Sequence, residues 1–202
     1  LALHPNYATT AELRAYVSST STADDTNLGL AITAASRAVD HYTDRQFGVL
    51  TVAAARYYTP LWSVEHNRYL AHIDDLQTIT SLVLKSDLDN NGVYETTVTD
   101  YRLWPLNAAG DGLPWTEAVF GTSASVSCLP GALEVTALWG WTAVPDTVKE
   151  AALLQASRFA ERKVAPFGIA GSPEMGNSLR LLSKVDADVE VMLRPYRRWA
   201  MV

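Results

Sequence analysis

Six consecutive residues, Asp87-Leu-Asp-Asn-Asn-Gly92, hold the densest set of metal-ligand atoms in the chain. Oxygen donors at positions 1, 3 and 5 with glycine at 6 open a calcium loop of the EF-hand type. Such a loop closes on a bidentate glutamate at position 12, which here is Val98. The flanking residues are β-formers. The segment therefore reads as a polar hairpin turn, because Asn and Gly accept positive φ. Calcium or ligand binding by a β module through Asp87, Asp89 and Asn91 is the alternative. The other reactive side chains are scattered. His4, His41, His66 and His72 form no HExxH and no metal-spaced pair on an expected helix, so no metal site follows. Asp74-Asp75 reads as a turn, since neighbouring side chains on an extended strand would point apart. Cys128 has no base beside it and reads as a semi-buried small residue rather than a nucleophile. As the single cysteine it also excludes an internal disulfide framework. GxSxG, P-loop and GxGxxG patterns are absent. The expectation is a non-enzymatic protein with no catalytic residue and no cofactor.

The second chemical feature is the end of the chain, Arg194, Tyr196, Arg197, Arg198 and Trp199. Arginine and aromatic side chains dominate protein interfaces. Exposed, they make a docking peptide; a phosphate-binding arm and a tail folded onto its own helices, with Trp199 filling a groove, are the other readings. Charge is uneven. Residues 1–148 hold 7 Lys and Arg against 16 Asp and Glu, and residues 149–202 hold 9 against 6. The net charge of −6 excludes a basic DNA-coating protein. Hydrophobic residues make up 48% and charged residues 19%, as in a folded globular chain. No run of about 18 apolar residues could span a membrane, and the first residues lack the pattern of a secretory signal.

The elements follow from periodicity. Thr9 and Glu12 fit a capping box for a short helix ending near Val17. Thr22 to Asp25 start a second helix, whose residues Leu28, Ile32, Ala35, Val39 and Tyr42 form one apolar stripe; Gly48 is its expected stop. Segments 56–59, 68–70, 79–85, 93–99, 101–104 and 133–139 are rich in β-branched and aromatic residues and read as an antiparallel sheet. Residues 105–131, with three prolines and four glycines, read as one long excursion. A helix returns at about 145–163, with Pro145 in its first turn, acids at its start and Arg162 and Lys163 at its end. Ala151, Ala152, Ala156 and Ala160 thin its surface for close approach of another helix. Residues 166–176 break it as a mobile hinge, and Asp186 caps a last short helix ended by Pro195. The fold class is α+β: a small helical bundle with an inserted antiparallel β-rich region and an extended C-terminal arm. Its expected parts are 1–50, 51–142, 143–165 and 166–202.

These pieces, in this order, resemble the head-to-tail adaptor (connector, head-completion) family of long-tailed double-stranded DNA bacteriophages. Four stretches carry the resemblance. They are Ala11–Val17 with Leu30–Gly48, the strand-turn-strand Leu84–Glu95, Trp139–Phe159, and Leu179–Val189 with Arg194–Arg198. The family implies a structural virion protein at the capsid–tail junction, made in the host cytoplasm. It implies a ring, usually of twelve copies, beneath the portal protein. The ring extends the DNA channel without gripping DNA and meets a stopper or tail-completion protein. By resemblance, portal docking falls to Arg194, Tyr196, Arg197, Arg198 and Trp199. The helix bearing Ala151, Ala152, Ala156 and Ala160 suits close packing between helices, within or between subunits, and is read as the subunit-interface helix. The β-rich stretch around 105–131 departs from the smallest, nearly all-helical members.

Overall fold

The computed structural model of the protein describes residues 4–162, 169–170, 179–180 and 186–198. Two compact units share the chain: Gly48–Ala143, and His4–Phe47 with the described residues from Val144 onward.

The helical unit starts at the capping box. The Glu12 N–H donates to Thr9 Oγ1 at 3.2 Å and the Thr9 N–H to Glu12 Oε2 at 2.8 Å, which opens α1 (Thr10–Tyr16). In α2 (Asp25–Thr43) the expected stripe is buried at Leu28, Ile32, Ala35 and Val39 and half-buried at Tyr42. The helix stops at Asp44, with φ 53°, and not at Gly48. Aspartate is one of the few residues with a Cβ that enters the left-handed region at low cost. Helix α3 (Asp146–Glu161) follows Pro145, which caps it from outside with φ −59° rather than lying in its first turn. The buried residues of α3 include Val148, Ala151, Ala152, Leu153, Ala156 and Ser157, and the helix contacts α1, α2 and α4 (Ala187–Leu193). Asp186 caps α4 by accepting the Asp188 N–H at 2.9 Å. Pro195 then sits in a 3-10 turn, Arg194–Tyr196. The described residues 186–198 are therefore helical and packed. The expected hinge at 166–176 lies outside the described residues except for 169–170, where β9 (Ile169–Ala170) pairs antiparallel with β10 (Leu179–Arg180).

The β unit holds two antiparallel four-stranded sheets and no closed barrel. One runs β1-β8-β4-β5, from Ala54–Tyr58, Leu133–Ala137, Val83–Ser86 and Thr96–Thr97. The other runs β2-β3-β7-β6, from Leu61–Ser63, Arg68–Leu76, Trp115–Phe120 and Tyr101–Trp104. Side chains from both sheets build one core: Ala71, Ile73, Leu76, Ala118 and Phe120 from the second, Leu84, Leu133, Val135 and Ala137 from the first. Residues 105–131 are not one excursion, since β7 lies inside them and pairs with β3 and β6. Gly121 ends β7 where a Cβ would collide with the Asp100 carboxylate. Asp74 and Asp75 lie on β3 rather than in a turn.

The segment after β8 closes this unit. Trp139 is fully buried, and its indole N–H donates to the Ala54 carbonyl at 2.7 Å. The Trp141 indole donates to Asp75 Oδ2 at 2.8 Å, and the Gly140 N–H donates to the Asp75 carbonyl at 2.7 Å. Gly140 holds φ 110°, a conformation that side chains rarely adopt. Trp139→Ala should cost about 3–5 kcal/mol, because it leaves a cavity the sheets cannot fill. Gly140→Ala should cost about 1–3 kcal/mol through backbone strain. Urea midpoints by tryptophan fluorescence and circular dichroism check both, with Trp139→Ala the larger loss.

Candidate functional site

The arginine-rich end folds back on its own helices. The Arg198 N–H donates to the Thr43 carbonyl at 2.8 Å, at the C-terminus of α2. Tyr196 packs edge-on against Phe47, with ring centroids 5.7 Å apart, and the Arg197 guanidinium lies 5.8 Å from the centre of the Tyr42 ring. The Tyr42 phenol is pushed upward by burial and by Glu190, against the pull of Arg197 and Arg194. Arg194 and Arg197 remain exposed, Tyr196 and Arg198 are half-buried, and Trp199 lies outside the described residues. The sequence left three readings of the tail open, and the contacts place residues 194–198 in the folded-back arrangement.

That platform rests on a buried polar node. The Tyr7 hydroxyl donates to Asp40 and accepts the Phe47 N–H at 3.0 Å, while the Tyr7 N–H donates to Ser36 Oγ at 3.1 Å. Burial and the neighbouring carboxylate push the Tyr7 phenol well above its ordinary value, and burial raises Asp40 against the opposing Tyr7 bond and Arg37. Arg37 pairs with Asp40 at 3.1 Å and reaches the Pro5 carbonyl. The node therefore fixes the N-terminal segment and Phe47, the residue on which Tyr196 rests.

Ala151, Ala152 and Ala156 are 0%, 1% and 0% exposed, and Ala160 is half-buried. Ala156 sits in a cluster with Leu13, Leu28, Ile32, Ala35 and Leu153, with Ala160 against its edge. The first three are spent inside their own chain, so small size serves packing within the protomer. Of the two readings of the alanines, packing within the protomer is visible here, while Ala160 and the exposed positions of α3 keep surface outside that packing.

The acidic turn is self-satisfied. Asp87 Oδ1 accepts the Asn91 N–H at 3.2 Å and Oδ2 accepts the Gly92 N–H at 2.8 Å. Burial raises the Asp87 carboxyl, but these backbone donors outweigh it and hold the carboxyl below its ordinary value. Asp89 accepts from the Asn91 amide at 3.0 Å. The Asp87 oxygens thus cap the turn between β4 and β5 rather than converge on an empty centre. Among the described residues, no group of three or more His, Cys, Asp or Glu is placed to hold a metal ion. Cys128 is exposed, not semi-buried.

Two features escaped the sequence reading. Glu117 sits between His72 Nδ1 at 3.3 Å and His66 Nε2 at 3.7 Å, with the His66 ring edge-on to Trp104. The spacing of 45 residues between His72 and Glu117 gave no hint, because the pairing depends on the unforeseen β7. The other is an apolar hairpin. Leu61, Trp62, Val64 and Tyr69 are all exposed, Val64 at 87%, and Trp62 packs edge-on against Tyr69, with ring centroids 5.0 Å apart. Its signal was a charge-free Leu-Trp-Ser-Val run after Pro60.

No family model matches the chain, and no curated protein does. Solved structures do. The chain is similar to one in the neck of a native gene transfer agent particle computed with C12 symmetry, at 19% identity and a TM-score of 0.57. It is similar to one in the neck of an empty particle computed with C6 symmetry, at 18% and 0.56, and to one in the virion of the native particle, at 20% and 0.50. Each match covers 100% of this chain and 95% of the other. The protein thus has the fold of chains found in the neck of a gene transfer agent particle.

One ion pair ties α1 to α3 and gives a pH signature. Lys149 donates to Glu12, which also accepts from Thr9, and together these hold the Glu12 carboxyl at about 2 against an ordinary 4.5. Lys149 is raised above its ordinary 10.5, first by its bond to Glu12. A depressed acid stabilises the fold above its unfolded value and loses that stabilisation as pH falls through the folded one. The Glu12 contribution should therefore fade between about pH 4.5 and 2. Glu12→Gln should flatten the decline of the urea midpoint across that window and leave its slope near pH 7 unchanged.

Proposed function

We propose that the protein is a structural neck component, a head-to-tail adaptor whose copies form a ring, twelve in number, beneath the portal. The ring extends the DNA channel and joins capsid to tail, where a stopper or tail-completion protein meets its other face. The observation that carries this reading is the fold match along the whole chain to chains in necks solved with C12 and C6 symmetry. The charge agrees: a net −6 on a channel wall repels phosphate, so DNA passes without being held. Of the proposed portal-docking residues, Tyr196 and Arg198 hold the tail in place on Phe47 and Thr43, and the exposed Arg194 and Arg197, the latter over the Tyr42 ring, are the ones offered to the portal. Arginine suits that task through bidentate pairing with carboxylates.

Electron microscopy of the protein mixed with its portal tests the reading. A ring stacked on the portal is expected. Arg194→Glu with Arg197→Glu should lower its occupancy at least about tenfold, the loss expected for a charge-reversed hot spot, while the helical signal in circular dichroism stays. A protein that never joins the portal at any concentration contradicts the adaptor reading.

A further inference from the structure

The sequence places asparagine before glycine at one position only, Asn91-Gly92, in the turn between β4 and β5. That pairing is the one most prone to lose its side-chain amide, because the second residue has no side chain to hinder ring closure. The Gly92 N–H gives its proton to hydroxide, and the nitrogen attacks Asn91 Cγ. An N–Cγ bond forms and the Cγ–Nδ2 bond breaks. The amide nitrogen leaves as ammonia with a proton from water, which restores the hydroxide. Water then opens the cyclic imide at either carbonyl and leaves aspartate or isoaspartate at position 91.

Sterics do not protect this site. Asn91 and Gly92 are exposed, and Gly92 holds φ 85°. Beyond its chain neighbours, nothing lies within 4 Å of where a Gly92 Cβ would sit. Hydrogen bonds take the place of sterics. The Gly92 N–H, the proton that must leave, donates to Asp87 Oδ2 at 2.8 Å. The Asp87 carboxyl lies below its ordinary value, so at neutral pH it is a full negative charge. An amide anion formed beside that charge is repelled at close range, so this N–H is harder to ionise than one facing water. The Asn91 amide is held at both ends: Oδ1 accepts the Val93 N–H at 2.7 Å, and Nδ2 donates to Asp89 Oδ2 at 3.0 Å. The Val93 donor alone would polarise the carbonyl and favour attack. The contact that opposes attack is the one between Asp87 and the Gly92 N–H.

We infer that Asn91 is a latent deamidation site and that Asp87 keeps it closed by holding the Gly92 N–H. Asp87 is then a positioning residue that sets the chemical lifetime of the turn. Isoaspartate would insert one extra backbone carbon between residues 91 and 92. That would move the Gly92 N–H off Asp87 and disturb the pairing of Thr96 and Thr97 with Ser86 and Lys85. The inference does not depend on the adaptor reading.

The test follows the full chain at mildly alkaline pH and physiological temperature. Peptide mass mapping with fragmentation reads conversion at Asn91. The native parent should convert at least about tenfold more slowly than the same chain unfolded in urea, the factor that one charge-assisted hydrogen bond represents. Asp87→Ala should lift the native rate most of the way to the unfolded one. Asp89→Ala frees only the amide side chain and should lift it less. Circular dichroism and the urea midpoint check that each variant is folded. Asp87→Asn, which keeps the shape and removes the charge, carries the test if Asp87→Ala does not fold. A native parent that deamidates as fast as the unfolded chain overturns the inference, and so does a folded Asp87 variant that converts at the parent's rate. Equal acceleration by Asp87→Ala and Asp89→Ala would assign the protection to the turn as a whole and overturn the role of Asp87.

Discussion

Everything in the helical unit is constrained by one helix buried on several sides. Helix α3 touches α1, α2 and α4, so its surface must be thin wherever neighbours cross it. Alanine at 151, 152 and 156 meets that demand at no cost in helix propensity. A leucine at any of these would force the neighbours apart, because close-packed interiors absorb little extra volume. The same burial decides what the helix cannot do. With no surface left at those positions, what α3 offers outward is its remaining polar face, Asp146, Thr147, Glu150 and Glu161.

The β unit is governed by a different economy. Its two sheets share a core, and Trp139-Gly-Trp141 seals one side of it by sending both indole N–H groups to acceptors of the same unit. Buried indoles without acceptors would be costly. Around this core the surface carries exposed apolar residues, Val64, Leu61 and Trp62 among them. A well-satisfied interior beneath an unprotected apolar edge suits a subunit whose surface is completed by its neighbours.

The helices were largely legible in the sequence because their signals are local. The Thr9–Glu12 capping box, the Leu28–Val39 stripe and the Asp186 cap each depend on residues a few positions apart, and each appears where the spacing put it. The antiparallel strands at 54–58, 101–104 and 133–137 were legible from β-branched and aromatic runs. Strand β7 was not, because glycines and prolines on both sides of Trp115–Phe120 hid a short segment whose strand state is fixed by pairing with β3 and β6. The tail shows a second limit. Sequence could weigh a docking peptide against a folded-back tail, but only the Tyr7–Asp40 node and the Phe47 ring it positions decide between them. The alanines show a related limit: small residues at helical spacing permit close approach without saying which helix approaches.

The most direct test of the account is cryo-electron microscopy of the assembled neck at a resolution that traces each chain. The account predicts twelve copies in a closed ring, with Arg194 and Arg197 of each against the portal. A neck in which this chain forms no ring, or in which Arg194 and Arg197 lie away from the portal, would contradict it.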